Sequence, residues 1–255
     1  MPQARINGID LYYESHGQGP AIVFAHGGAG SHLSWWQQVP ALSGKYHCVT
    51  FDHRGFGLSH ESADGPGASA FVEDLRGLLD HLGIEKAALV GQSMGGWTVL
   101  GFAARYPHRT SALVLCDTTA GMDDPEVLAE QNRIAKRASG GLVPNAVADD
   151  FPTREPALYF LYSEINQLNN PPPKLLAPLF NLRHAPGALL QHHIPTLLVW
   201  GDKDALIPAS AMELMRRRVP HARTELIRGA GHSVYFEKAA EFNSILLDFL
   251  RTNAA

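Results

Sequence analysis

A serine at position 93 lies in Gly91-Gln92-Ser93-Met94-Gly95, directly after the apolar run Ala87 to Val90 and directly before a helical pattern from Met94 to Tyr106. Any glycine-rich loop can hold such a pentapeptide, so the pattern gains meaning from its place between a strand and a helix. A turn that abrupt holds its central residue in a sparsely populated backbone conformation, at a cost on the order of 1–3 kcal/mol. The glycines two positions either side remove the Cβ atoms that would clash. Ser93 Oγ is thereby pushed into the open at the end of its strand, as a nucleophile would be.

A serine hydroxyl attacks weakly unless a base removes its proton and an acid orients that base. Of thirteen histidines, His232 stands out in Gly229-Ala230-Gly231-His232, a loop after the strand Thr224 to Ile227 and before the last helix. The acid should end another strand, and Trp200-Gly201-Asp202-Lys203-Asp204 follows Thr196 to Val199. Asp202 reads as the acceptor within the tight turn and Asp204 as the acid that reaches past it, with Asp117 as the alternative. A tetrahedral intermediate also needs donors for its oxyanion. Met94, at the start of a helix, offers one N–H. The loop His26-Gly27-Gly28-Ala29-Gly30 offers another, from Gly28 or alternatively Ala29.

These residues need a scaffold that brings strand ends together. Asn7-Gly8 reads as a hairpin turn between Arg5-Ile6 and Ile9 to Tyr13. Strands at Ala21 to Ala25, His47 to Asp52, Ala87 to Val90 and Ala112 to Asp117 alternate with helices at Ser34 to Leu42, Ser69 to Leu82 and Met94 to Tyr106. That rhythm implies crossover connections and a mostly parallel sheet. It stops after Thr118. Residues 119–191 carry helical stretches, Pro125 to Ser139 and Glu155 to Gln167, with Pro171-Pro172-Pro173 as a stiff extended connector. The rhythm resumes with the strand Thr196 to Trp200, a helix Ser210 to Arg218, a strand Thr224 to Ile227 and one final helix Val234 to Arg251. The expected organisation is a core of 1–118 and 192–255 interrupted by a helical insertion of 119–191.

Composition narrows the class. The chain has 255 residues, 45% of them hydrophobic and 18% charged, the balance of an ordinary globular protein. A net charge of −4 is too balanced for a nucleic-acid partner. The first residues show no apolar signal segment, and no run approaches the roughly 18 apolar residues of a membrane span. A cytoplasmic location without membrane attachment is expected. Cys48 and Cys116 each sit in an apolar strand-like run and read as buried, inert thiols. His192-His193 has no further ligand cluster, so no metal and no cofactor are expected. Arg216-Arg217-Arg218 reads as a solvated helix face.

The segments His26-Gly27-Gly28, Gly91-Gln92-Ser93-Met94-Gly95, Asp204 and His232, in that chain order, resemble the α/β-hydrolase family, and Asp52-His53-Arg54-Gly55-Phe56-Gly57-Leu58-Ser59 resembles its turn after the fourth strand. The likeness spans the chain except the insertion. It implies an eight-stranded, mostly parallel sheet flanked by helices, with 119–191 as a small helical cap over the active site. Asp52 and Arg54 would be structural, as an ion pair or turn brace. A serine where haloalkane dehalogenases and epoxide hydrolases use a carboxylate leaves acyl chemistry. The chain then resembles small carboxylesterases, enol-lactonases, cofactor-free haloperoxidases (perhydrolases) and hydrolases of carbon–carbon bonds. The last group usually has asparagine where this chain has Gln92.

The resemblance implies a small to medium, largely apolar ester or lactone as substrate. Trp35, Trp97, Phe151, Tyr159 and Val234 are the candidate contacts, with Trp36, Phe160, Tyr162 and Phe180 as further aromatics. A receptor on the same scaffold, closing its cap on a small ligand with little turnover, is the non-enzyme alternative. No oligomeric state follows from the sequence.

Overall fold

The N-terminal hairpin forms where two residues tolerate a left-handed backbone. Asn7 has φ 45° and Gly8 φ 86°, the pair that a two-residue primed turn requires. They join β1 (Gln3–Ile6) to β2 (Ile9–His16), antiparallel with Ile6 opposite Ile9. The structure, a computed structural model, describes residues 2–62, 64–137, 146–169 and 173–253.

β3 (Ala21–Ala25), β4 (His47–Phe51), β5 (Ala87–Gln92), β6 (Thr110–Cys116), β7 (Thr196–Gly201) and β8 (Arg223–Ile227) complete an eight-stranded sheet of order β1-β2-β4-β3-β5-β6-β7-β8. From β4 to β8 all neighbours are parallel, while β1 and β2 run antiparallel at one edge. This is the α/β-hydrolase fold that the resemblance implies. β3 lies between β4 and β5, so the chain builds outward on one side of β3 and then on the other. The crevice beyond the carboxyl ends of β3 and β5 is therefore the place where such a sheet opens for a ligand.

The central strands are apolar on both faces because both faces are covered. Val23, Leu89, Leu113 and Leu115 enter one core with Leu75 and Leu78 of α2 (Phe71–His81), Val99 and Leu100 of α3 (Met94–Arg105) and Met212 and Met215 of α9 (Ala209–Arg218). Ile22, Phe24, Val90, Val114 and Cys116 enter the other with Leu42 of α1 (Gln38–Leu42) and Phe242, Leu246 and Phe249 of α11 (Ala239–Asn253). Cys48 and Cys116 are buried and free.

Between β6 and β7 the described residues carry helices and no strand: α4 (Pro125–Arg137), α5 (Phe151–Arg154), α6 (Pro156–Gln167), α7 (Pro173–Leu176) and α8 (Gly187–Gln191). The segment leaves and rejoins the core through a stem, where Met122 bridges His184, His184 N donates to Gly121 O at 3.0 Å and Asp123 N donates to His184 O at 3.0 Å. Pro171 and Pro172 of the expected extended connector lie outside the described residues, as does Ser139 at the end of the expected helix. Pro173 is the first residue of α7, where a missing N–H costs no helical hydrogen bond. No helix among the described residues is long and apolar enough to cross a membrane.

Two expected helices are divided. The segment near Ser34 is a 3-10 turn, His32–Trp35, followed by α1. The final helix breaks at Lys238 (φ −129°, ψ 46°) into α10 (Val234–Glu237) and α11. Asp52 and Arg54 are structural but are not each other's partners. Asp52 accepts from His32 N at 2.6 Å and Leu58 N at 2.9 Å. Burial opposes its ionisation, yet its hydrogen bonds with His32 and with Leu58 N hold the carboxyl below its ordinary range. Arg54, 1% exposed, pairs with Asp74 at 2.5 Å and Glu61 at 2.7 Å and donates to Asn7 O.

Removing Arg54 strands two buried carboxylates. Arg54→Met is expected to lower stability by about 3–5 kcal/mol in urea unfolding at neutral pH. A loss below about 1 kcal/mol would show that Asp74 and Glu61 find other compensation.

Candidate active site

β5 passes into α3 through one residue. Ser93 has φ 48° and ψ −116°, a left-handed conformation that strains any side chain. Three bonds hold it there: Ser93 N donates to Cys116 O at 3.0 Å, and Ser93 O accepts from Gly96 N at 2.9 Å and Thr118 Oγ1 at 2.7 Å. The flanking glycines are required by contact. A Cβ on Gly95 would lie 2.1 Å from Ala25 O, and one on Gly91 2.6 Å from Gly95 O.

Ser93 lines a cavity of about 420 Å³ at the carboxyl ends of β3 and β5, together with Gly28, Met94 and His232. Met94, the first residue of α3, has no intrahelical acceptor for its N–H, and the helix dipole favours negative charge there. Ala29 lines the same cavity, so the loop from His26 to Gly30 brings both of its candidate donor residues there. That loop is set from beneath by two buried imidazoles. His26 Nδ1 lies 2.8 Å from Gly27 O, its Nε2 accepts from His53 N at 3.0 Å, and His53 Nε2 lies 2.9 Å from Thr98 Oγ1. Burial pushes His26 down to about 4 and His53 well below its ordinary range, so both stay neutral.

His232 is held at three points. Its Nδ1 is 2.8 Å from Asp204 Oδ2. Its carbonyl accepts from Gln92 Nε2 at 2.9 Å, and the preceding Gly231 N donates to Glu237 Oε1 at 2.9 Å. With Nδ1 donating to the carboxylate, Nε2 is the ring nitrogen able to take a proton. Asp204 Oδ1 is fixed by Leu206 N at 2.7 Å and Ile207 N at 2.8 Å. Asp202 accepts from Gly229 N at 2.7 Å, tying its turn to the histidine loop.

Asp117, the alternative acid, is fully buried beside Asp204. It accepts from Gly201 N at 3.0 Å and Cys116 Sγ at 3.2 Å. Burial, and then the Asp204 charge, raise its carboxyl well above the ordinary range. That shift favours its protonated form. Burial likewise raises the Cys116 thiol.

Of the five expected substrate contacts, the cavity walls include one. Trp97 lines it, but Trp35, Phe151, Tyr159 and Val234 do not. Trp35 is fully buried between Phe24 and Tyr235, at ring distances of 5.0 and 4.7 Å. Phe151 and Val234 are core residues, and Tyr159 packs half-buried on the same cluster. Their proximity to the motifs in sequence reflects packing beneath the site. Among the further aromatics, Tyr162 lines the cavity, Trp36 and Phe160 are exposed, and the Phe180 side chain lies outside the described residues.

Several wall residues carried no sequence signal. Leu206 and Ile207 follow Asp204, Leu176, Leu179 and Asn166 come from the segment between β6 and β7, and Ser233 follows His232. Tyr162 Oη and Ser233 Oγ lie 2.9 Å apart, and burial raises the phenol to about 12, so it is a neutral hydrogen-bonding group. Gln92 was notable only as a departure from asparagine. Its contact with His232 O needed the fold to be visible.

The family model for the alpha/beta hydrolase fold matches residues 20–185 and 159–239. The chain is 28% identical to the 2-hydroxy-6-oxo-6-phenylhexa-2,4-dienoate hydrolase of Comamonas testosteroni, over 94% of this chain and 91% of that one. Among solved structures it is similar to a thermophilic esterase from Thermogutta terrifontis, with TM-score 0.83, 29% identity and full coverage of both chains. It is also similar to a bromoperoxidase from Bacillus anthracis, with TM-score 0.78, 29% identity, and coverage of 95% of this chain and 96% of that one.

The strain at residue 93 is measurable without reference to any reaction. Ser93→Gly is expected to be more stable than Ser93→Ala by on the order of 1 kcal/mol in chemical denaturation, since glycine tolerates positive φ. Equal stabilities would mean that the turn relaxes when the hydroxyl is lost.

Proposed function

Because the chain belongs to the α/β-hydrolase fold family and is a hydrolase, we propose that it cleaves a small to medium, largely apolar carboxylic ester or lactone through an acyl intermediate on Ser93. Ser93 Oγ attacks the carbonyl while His232 Nε2 takes its proton. Asp204 keeps the imidazole in the tautomer that leaves Nε2 free and stabilises the imidazolium. The N–H groups of Gly28 and Met94 hold the negative charge on the tetrahedral oxygen. His232 returns the proton to the leaving alkoxide, and water repeats the cycle on the acyl-serine. The segment 119–191 acts as a cap that completes the pocket.

The observation that carries this reading is the 2.8 Å contact between His232 Nδ1 and Asp204, on a residue that lines one cavity with Ser93, Gly28 and Met94. Substrate size and polarity rest on the cavity. About 420 Å³ lies toward the small end of ligand pockets, and Met94, Trp97, Leu176, Leu179, Leu206 and Ile207 give it apolar walls.

Hydrolysis of a p-nitrophenyl ester series by the wild type and Ser93→Ala tests the reading. Activity should peak at short or medium acyl chains and vanish in the variant, and a fluorophosphonate should label Ser93 stoichiometrically. Failure of labelling would overturn the acyl-serine. Labelling without ester turnover would redirect the search to lactones, to peroxide as acyl acceptor and then to a receptor.

The acid assignment is tested in the same assay. Asp204→Asn is expected to lower kcat by about 10⁴-fold. Asp117→Asn, which replaces one neutral group by another, should stay within about tenfold of wild type. The reverse ranking would transfer the role to Asp117.

A further inference from the structure

Glu237 is a buried carboxylate outside the set that handles substrate, and its side chain is fully enclosed. Both oxygens accept main-chain N–H groups from distant parts of the chain: Oε1 from Gly231 at 2.9 Å and Oε2 from Ala148 at 3.1 Å. Gly231 immediately precedes His232. Ala148 belongs to the segment between β6 and β7. The two backbones also touch, since a Cβ on Gly231 would lie 2.4 Å from Val147 C and Ala148 N. Four residues of α10 end at Glu237, and the helix breaks there, which turns the carboxylate back onto the loop it follows.

We propose that Glu237 is a positioning residue for His232, its carboxylate clamping the base-bearing loop and the helical segment above it into one rigid unit. The inference rests on His232 acting as the base.

The chemistry of the clamp requires both oxygens to be acceptors. An amide has one oxygen to accept and turns a hydrogen toward the second N–H, and a protonated carboxyl accepts only weakly through its hydroxyl oxygen. The charged groups that face it are few. Arg154 Nη2 of α5 is 3.9 Å away, beyond hydrogen-bond distance and shared with Asp150. Tyr162 of α6 faces it with a neutral phenol, and His232 lies on its own loop. Burial raises the carboxyl to about 7, against the lowering effect of the Ala148 and Gly231 N–H groups and of Arg154.

Because the folded value lies above the unfolded value of 4.5, the folded chain binds more protons through this window. Stability from this group is therefore present below the unfolded value and is lost as pH rises toward 7. The ionised form destabilises the fold, so its retention is better explained by what it holds than by stability.

The test compares the wild type with Glu237→Gln on p-nitrophenyl butyrate from pH 5 to 9, with thermal unfolding over the same range. The clamp predicts a fall in kcat of about 10–100-fold with KM within twofold, the scale that misplacing a catalytic group by about 1 Å produces. It also predicts that the wild-type acid limb of kcat/KM falls more steeply than one proton allows, and that the variant returns to unit slope. Thermal stability should decline less between pH 5 and 8 in the variant. A kcat within twofold of wild type, or unit slope in the wild type, overturns the clamp. The wild-type slope decides alone if the variant does not fold. Loss of Ser93 labelling in the wild type would instead overturn the acyl-serine reading.

Discussion

The tightest constraint in this molecule is the close approach of α3 to the end of β3. With 2.1 Å between the position of a Cβ at residue 95 and Ala25 O, only glycine lets the helix start there. That contact fixes the distance between the Ser93 turn and the loop from His26 to Gly30. It therefore brings Ser93, the loop from His26 to Gly30 and the start of α3 to one cavity. Ser93 supplies the strain that aims the hydroxyl, while β6 supplies the restraint, through Cys116 O and Thr118 Oγ1. Sheet packing on both faces makes this arrangement stiff, since neither β5 nor β6 has a solvated face along which to shift.

Much of this was legible because it depends on short-range chemistry. Asn7-Gly8 announces its turn, the apolar runs announce strands buried on both faces, and Gly91 and Gly95 announce the bend at Ser93. Asp204 and His232 could be chosen because each ends a strand in a loop with turn residues. What stayed hidden depends on long-range placement. Nothing near Trp35 in sequence says that Phe24 and Tyr235 enclose it, and nothing near Gln92 says that its amide reaches the His232 carbonyl. The break at Lys238 carries no proline or glycine, so periodicity ran through it from Val234 to Arg251. The wall residues from 119–191 were the least legible, because apolar helical faces look alike whether they cover a core or a cavity.

Five of the buried carboxylates meet desolvation in different ways. Asp74 shares the guanidinium of Arg54, and Asp52 draws on His32 and backbone amides. Asp204 uses an imidazole on one oxygen and two N–H groups on the other. Asp117 keeps its proton beside Asp204. Glu237 relies on two backbone amides and a distant arginine. Burial alone therefore does not reveal which carboxylate stays charged; the donors aimed at each oxygen do. Near His232 this yields one carboxyl that burial holds toward its protonated form and one poised near neutrality.

The stem at Met122 and His184 closes the path by which the chain leaves the sheet and returns to it. Because the two ends meet there, the length and sequence of what lies between them do not set the register of β6 against β7. Under the proposed function, such a junction separates inheritance of the reaction from inheritance of the preference. One portion of the gene can drift toward new compounds while the strand ends that carry Ser93, Asp204 and His232 keep their spacing. Relatives with similar sheets and different chemistries are what a lineage built on such a joint would leave behind.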